Sequence, residues 1–120
     1  MNEMELDGAT AVFKALSDPN RLRIFAELMA GDSCNCELKD RLGLAPNLLS
    51  HHLKALEKVG LVDSRRDMVD GRWIYYAVDR ENISQWHTWF TTFFDPTRIQ
   101  TGSLCGPEGQ VVALDQVEMS

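Results

Sequence analysis

Residues 33–61, SCNCELKDRLGLAPNLLSHHLKALEKVGL, carry the pattern that most narrows what this chain can fold into. Leu38 and Leu42 fall four apart, on one face of a short helix, and Gly43 follows with the conformational freedom to leave it. Pro46 can start a second helix without losing a hydrogen bond, and Leu49, Leu53 and Leu56 then repeat at helical spacing until Gly60. Two short helices around the turn Leu42, Gly43, Leu44, Ala45 predict a helix-turn-helix whose second helix is the reader. The reader's exposed face would carry Asn47, Ser50, His51 and Lys54, small or cationic donors able to reach base edges and phosphates in a major groove. A leucine pattern with one glycine also suits a plain helical hairpin in a core, so the next segment decides between them.

Residues 61–78, LVDSRRDMVDGRWIYYAV, read as two β-prone runs around a polar turn ending in Asp70 and Gly71, a hairpin signal. A hairpin directly after a reader helix is a wing. Arg65, Arg66 and Arg72 gather about its tip, as contacts to phosphates or the minor groove require. The formal net charge of −6 argues against nucleic acid only if it is spread evenly, and it is not. Between residues 45 and 72, Lys54, Lys58, Arg65, Arg66 and Arg72 outnumber Glu57, Asp63, Asp67 and Asp70, whereas residues 1–20 set Lys14 against Glu3, Glu5, Asp7 and Asp18. The basic footprint is local and weak, so affinity should depend on dimerisation and be sensitive to salt.

The flanks read as scaffold. Residues 1–8 are expected to fray, and residues 9–16 to form a helix with Val12, Phe13 and Leu16 toward a partner surface. Asp18 can cap and Pro19 can start the next helix, with Leu22, Phe25, Leu28 and Met29 as its apolar stripe until Gly31. Residues 81–94 hold Ile83, Trp86, Trp89, Phe90, Phe93 and Phe94 and predict a mainly apolar dimer helix, with His87 structural. No apolar run approaches 18 residues and no charged-then-apolar leader opens the chain, which leads us to expect a cytoplasmic protein without a membrane span.

Cys34 and Cys36 follow a Gly-Asp-Ser break, which puts Cys36 at or very near a helix N-cap, where the helix dipole favours a thiolate. Residues two apart on a formed helix point to nearly opposite sides. Both sulfurs can therefore hold one ion only where the backbone is non-helical or is unwound by binding. Such unwinding would distort the start of the positioning helix, and a short turn joins that helix to the reader. The alternative is that both thiols are small buried hydrophobes.

Taken in order, ALSDPNRLRI at residues 15–24, CNCEL at 34–38, LSHHLKAL at 49–56, GLV at 60–62 and GRWIYY at 71–76 resemble the ArsR/SmtB family of metal-sensing winged-helix repressors. The similarity covers residues 9–94. It implies a homodimer that binds double-stranded operator DNA when metal-free and lets go when its inducer binds. The Cys-x-Cys segment is similar to the CVCDL-type segment of arsenic-responsive members. Lys39 stands where some of those repressors have a third cysteine, and Cys105, on a loop beyond Pro96, is the candidate replacement. Three soft thiolates from Cys34, Cys36 and Cys105 suit As(III) or Sb(III), and can also hold Cd(II) or Pb(II). The Asp-x-His and His-x-x-Glu of the family's zinc site do not occur, and the reader helix has no cysteine.

The expectation is a mainly α chain with a small β-hairpin, a winged helix-turn-helix homodimer. Residues 1–96 would bind DNA and dimerise, and residues 97–120 would form a tail carrying Cys105. The function expected is a metalloid-responsive repressor. A Cd(II)/Pb(II)-responsive repressor of the same fold and a thiol redox regulator are the alternatives. A thiol-dependent reductase is disfavoured because neither a CxxC motif nor a βαβ unit is present, so no enzyme is expected.

Overall fold

The computed structural model describes residues 1–109, 111 and 112, and the chain divides into two compact units, Met1–Trp86 and His87–Ser120. In the first unit, helix α1 spans Glu3–Leu16, so the first residues are helical where fraying was expected. The reason is a capping box: Asn2 Oδ1 accepts the Glu5 N–H at 2.8 Å while Glu5 Oε2 accepts the Asn2 N–H at 3.3 Å. Helix α1 buries Ala9, Val12 and Ala15, whereas Phe13 remains 48% exposed. Asp18 ends the interruption as foreseen, its Oδ1 accepting the N–H groups of Asn20 and Arg21 at the start of helix α2, Pro19–Ala30. That helix buries Ile24 and Leu28, while Leu22 and Met29 of the expected stripe are exposed. Apolar residues lie on two of its faces, and contact with the reader helix and the sheet selects between them.

Helix α3 spans Asn35–Leu42 and helix α4 spans Pro46–Lys58. Gly43 turns the chain between them in the left-handed region, with φ of 65°. Leu38 of α3 and Leu49, Leu53 and Leu56 of α4 are buried, as are Ile24 and Leu28 of α2, the helix against which both α3 and α4 pack, which fixes the reader on the scaffold. Helix α4 closes with a two-bond cap: the Gly60 N–H reaches the Glu57 carbonyl at 2.9 Å and the Leu61 N–H reaches the Leu56 carbonyl at 3.1 Å. Gly60, with φ of 78°, makes that geometry accessible.

The wing is a three-stranded antiparallel sheet in the order β1-β3-β2, built from β1 (Ser33–Cys34), β2 (Val62–Arg66) and β3 (Ile74–Val78). The β2–β3 hairpin was legible; the short β1 was not. The connection is also wider than a tight Asp-Gly turn. The Asp67 N–H donates to the Trp73 carbonyl at 2.8 Å, and Asp67 Oδ2 accepts the N–H groups of Val69 and Asp70 inside the loop. Gly71 is not among the glycines with positive φ, so the loop does not use the left-handed turn that Asp-Gly suggests.

Helix α5, Arg80–Phe93, begins against this unit: Asp79 Oδ1 accepts the Asn82 N–H at 3.1 Å, and Asn82 Nδ2 donates to the Gly60 carbonyl at 3.0 Å. Gly8 lies so close to Trp86 that a Cβ there would stand 3.2 Å from the indole. In the second unit the end of α5 carries Trp89 and Phe93 stacked at 4.8 Å between centroids. A 3-10 turn, Pro96–Arg98, follows, capped by Asp95. Cys105, expected on a loop, lies instead in strand β4 (Leu104–Cys105), paired with β5 (Val111–Val112), and is exposed. Parts of the expected tail, residue 110 and residues 113–120, lie outside the described residues. Among the described residues no helix is long and apolar enough to cross a membrane.

Candidate nucleic-acid interface and thiol site

On α4, the side opposite Leu49, Leu53 and Leu56 presents Asn47, His51 and Lys54, all exposed, and Ser50, half-buried. Pro46 and Asn47 open the helix, so this face leads with its N-terminal end, the end that a reader helix directs at base edges. His52 points the other way. It is 5% exposed, its Nε2 is 4.0 Å from Asp18 Oδ1, and its Nδ1 is buried without a hydrogen-bond partner. The Asp18 carboxyl is held below its usual range, first by the Arg21 backbone N–H and then by that of Asn20 and the charges of His52 and Arg21.

The three wing arginines are not equivalent. Arg65 and Arg66 are consecutive on β2, so they leave opposite faces of the sheet. Arg66 Nη1 donates to the Gly71 carbonyl at 2.7 Å. Arg72 is clasped by Asp70, with Nε to Oδ1 at 3.0 Å and Nη2 to Oδ2 at 2.9 Å. This pairing lowers the Asp70 carboxyl and raises the Arg72 guanidinium from their ordinary values. All three remain exposed, so a phosphate can compete for them.

The thiols occupy the junction between wing and helix-turn-helix. Cys34, not Cys36, is the N-cap of α3, in extended conformation with φ of −85° and ψ of 164°. It is 7% exposed and pairs in register with Tyr75 of β3. Its backbone N–H donates to Glu37 Oε1 at 3.3 Å. The Cys34 thiol and N–H together hold the Glu37 carboxyl below its ordinary value. Cys36 is the second residue of the helix and is exposed.

Neighbouring side chains strengthen the junction in ways the sequence did not reveal. Asn35 Nδ2 donates to the Arg72 carbonyl at 3.1 Å and Asn35 Oδ1 accepts the Ile74 N–H at 3.4 Å, tying the first turn of α3 to the wing. Arg41 bridges Ser33 Oγ and Glu37 Oε2, both at 3.3 Å. Cys34 is thus connected to β3 through the strand pairing and to α4 through α3 and the turn at Gly43.

Cys36 also borders an open cleft of about 240 Å³ between α3, α4 and β3. Leu49, Leu53, Ile74 and Tyr76 make its apolar walls, and Lys39 and Ser50 contribute polar groups. The donor chemistry here fits a soft ion, because two thiols stand at a helix start with one of them outside the helical backbone. Among the described residues no three His, Cys, Asp or Glu side chains are gathered into a group that could hold a metal ion.

Residues 18–64, from the Asp18 cap through both helices into β2, match the model of the bacterial regulatory protein arsR family. The chain is 41% identical over 73 residues to the uncharacterized HTH-type transcriptional regulator MJ1325 of Methanocaldococcus jannaschii, across 59% of this chain and 79% of that protein. It belongs to the ArsR family. Among its ArsR-family relatives, the cadmium resistance transcriptional regulatory protein CadC of Listeria innocua is 40% identical over 72 residues, across 59% of this chain and 58% of its own. The arsenical resistance operon repressor of Staphylococcus xylosus is 38% identical over 58 residues, across 48% and 56%. The chain therefore spans little more than half the length of these two.

Among solved structures, HlyU from Vibrio cholerae superposes with a TM-score of 0.63 at 25% identity, covering 78% of this chain and 98% of HlyU. The homodimeric winged helix-turn-helix DNA-binding domain Mb0332 from Mycobacterium bovis gives 0.59 at 25%, covering 82% and 92%. ArsR-family proteins are DNA-binding regulators rather than enzymes, and the winged helix-turn-helix seen here is their fold.

Proposed function

We propose that this ArsR-family chain is a homodimeric repressor that holds operator DNA in its ion-free form and releases it when As(III) or Sb(III) binds the thiolates of Cys34, Cys36 and Cys105. The observation that carries the reading is that Cys34 caps α3 while pairing with the wing strand. Cys34 is extended and Cys36 is helical, so drawing both sulfurs onto one ion would strain the first turn of α3. That withdraws the Cys34 thiol from Glu37, loosens the β1–β3 pairing and shifts α3 against α4. Loss of a helix cap costs about 0.5–2 kcal/mol, enough for a coupling of roughly ten-fold. Asn47, Ser50, His51 and Lys54 would read the major groove, with Arg65, Arg66 and Arg72 on flanking phosphates.

Names among the relatives support an inducer of this kind, and they also favour a second reading. Cadmium regulators match over a longer stretch than the arsenical repressor, so a Cd(II)- or Pb(II)-responsive repressor is the competitor. The test is fluorescence anisotropy of a labelled upstream fragment bound to reduced protein, titrated with As(III), Sb(III), Cd(II), Pb(II) and Zn(II). We expect As(III) and Sb(III) to release DNA at the lowest concentrations, and Cys34→Ser or Cys36→Ser to abolish release. Release by Cd(II) or Pb(II) alone would transfer the assignment to the second reading, and release by none would remove both.

A further inference from the structure

The tip of the wing reverses the usual arrangement of an exposed turn: its polar groups are turned on one another and its apolar side chains are turned out. The Asp67 carboxylate accepts the N–H groups of Val69 and Asp70 and, at 3.2 Å, the Tyr75 hydroxyl, while the Asp70 carboxylate is taken up by Arg72. The Trp73 N–H donates to the Asp70 carbonyl at 3.0 Å, which closes the loop again inside the bond between Asp67 and Trp73. Met68 and Val69 stand at the head of this braced loop, fully exposed and more so than any large apolar residue on the helices. One exposed apolar side chain is ordinary. Two adjacent ones on a braced loop forfeit in water the free energy that burial would supply, and so form a surface shaped for a partner that covers them.

The surroundings of the tip point to DNA as that partner. Ile74, where β3 leaves the loop, lines one cleft with Pro46 and Ser50 from the first turns of α4. The loop end of the hairpin therefore lies beside the end of the reader that leads toward base edges. Arg65, Arg66 and Arg72 around the tip are exposed, and the carboxylates of Asp67 and Asp70 between them are already partnered, which suits a polyanion. The tip is also small. Two side chains fall far short of the roughly 800 Å² that each side of a stable protein interface contributes, whereas one or two apolar side chains are what a minor-groove wedge uses to part a base step.

We infer that the wing tip is a wedge: Met68 enters the minor groove beside the reader's site and parts a base step, with Val69 against the sugars of the groove wall, so that the duplex kinks toward the major groove. The inference rests on the operator-binding reading above and adds to it two residues that phosphate contacts do not involve. Methionine suits the entering position because it is unbranched and adaptable, whereas β-branched valine is stiff and broad. The bracing by Asp67, Asp70 and Tyr75 lets the tip enter without first being ordered. Unstacking costs least at the flexible pyrimidine–purine steps, TA and CA/TG. The wedge therefore gives the chain a sequence preference at a position that the reader helix does not touch.

The experiment uses the reduced, ion-free full-length chain on the labelled upstream fragment, with either a TA or an AA step placed in each flank of the protected region. Bending is read by energy transfer between the fragment ends, and unstacking by the fluorescence of 2-aminopurine at the flanking step. The variants are Met68→Ser with Val69→Ser, Met68→Leu, and Arg65→Ala for comparison. Wild type should bend the TA fragment by at least about 20° per wing, and should prefer it to the AA fragment about five-fold. The double variant should lose the bend, the 2-aminopurine signal and the preference, and should bind about ten-fold more weakly. Its salt slope should be that of wild type, because no phosphate contact is lost. Met68→Leu should keep the bend, and Arg65→Ala should keep it while lowering the salt slope. Met68 and Val69 bury almost nothing in the chain, so the double variant should melt with wild type. A bend and an unstacking signal that survive in the double variant, or unbent DNA in the wild-type complex, would overturn the inference while leaving operator binding in place. A double variant that changes the oligomeric mass and not the bend would assign the tip to a second copy of the chain, and would overturn it too. If wild type binds neither fragment, the operator reading fails and takes this inference with it.

Discussion

Gly60 joins the end of the reader helix to the start of α5, and replacing it with alanine tests that joint. Two costs add. A residue with a side chain in the left-handed region at φ of 78° is strained by about 1–2 kcal/mol. The new Cβ would also stand 2.7 Å from Asn82 Nδ2, the atom that donates to the Gly60 carbonyl, so the amide must withdraw and forfeit a bond of about 0.5–1.5 kcal/mol. Gly60→Ala should therefore destabilise the chain by about 1.5–3.5 kcal/mol, a fall in Tm of roughly 6–20 °C for a domain of this size.

A double-mutant cycle in urea at one protein concentration separates the two parts. In an Asn82→Ala background nothing remains to clash, and Gly60→Ala should cost only the backbone strain of about 1–2 kcal/mol. A cost below about 0.5 kcal/mol in the native background, or an identical cost in both, would refute the reasoning.

Three further outcomes follow from the interface and the junction. Arg65→Ala should weaken operator binding and reduce the slope of log K against log salt by about 1, as read by anisotropy at several salt concentrations. Asp70→Asn releases Arg72 from its carboxylate and should tighten binding by roughly two- to five-fold; an unchanged affinity would mean that Arg72 does not reach phosphate. The Glu37 carboxyl is depressed by the Cys34 thiol and N–H, so its support for the α3 cap is complete at neutral pH and is lost as pH falls through its folded value, below the ordinary 4.5. Glu37→Gln should therefore lower the urea midpoint at pH 7 and leave it close to wild type once both are measured in acid.

How far the fold was legible depended on the length of each pattern. Leu49, Leu53 and Leu56 repeat over two turns between Pro46 and Gly60, and α4 lies where they place it. Strand β1 has two residues, too few for any alternation, and exists because β3 offers it a free edge. That strand moves Cys34 into the N-cap position that the Gly-Asp-Ser break had suggested for Cys36. In α2, Leu22 and Met29 share a periodic line just as Ile24 and Leu28 do, and only tertiary contact with α4 and β3 decides which line is buried.

At the candidate site the residue types were readable and their connections were not. Asn35, Glu37 and Arg41 carry no motif, yet they bind the thiol segment to the wing and to its own helix. The Asn2–Glu5 capping box that orders the start of α1 is the one missed signal with a sequence signature, a capping residue followed three positions later by glutamate.

The central claim is that an ion at the α3 cap and DNA on the reader face exclude one another. The direct measurement is the ratio of operator affinities with and without saturating arsenite, at fixed salt, for wild type and Cys34→Ser. Serine preserves a capping side chain, so the variant should keep ion-free affinity and stability within about 0.5 kcal/mol of wild type. Wild type should lose about ten-fold or more in operator affinity with arsenite, a coupling of at least about 1.4 kcal/mol, and the variant should lose none. An equal loss in both proteins, or none in either, would contradict the account.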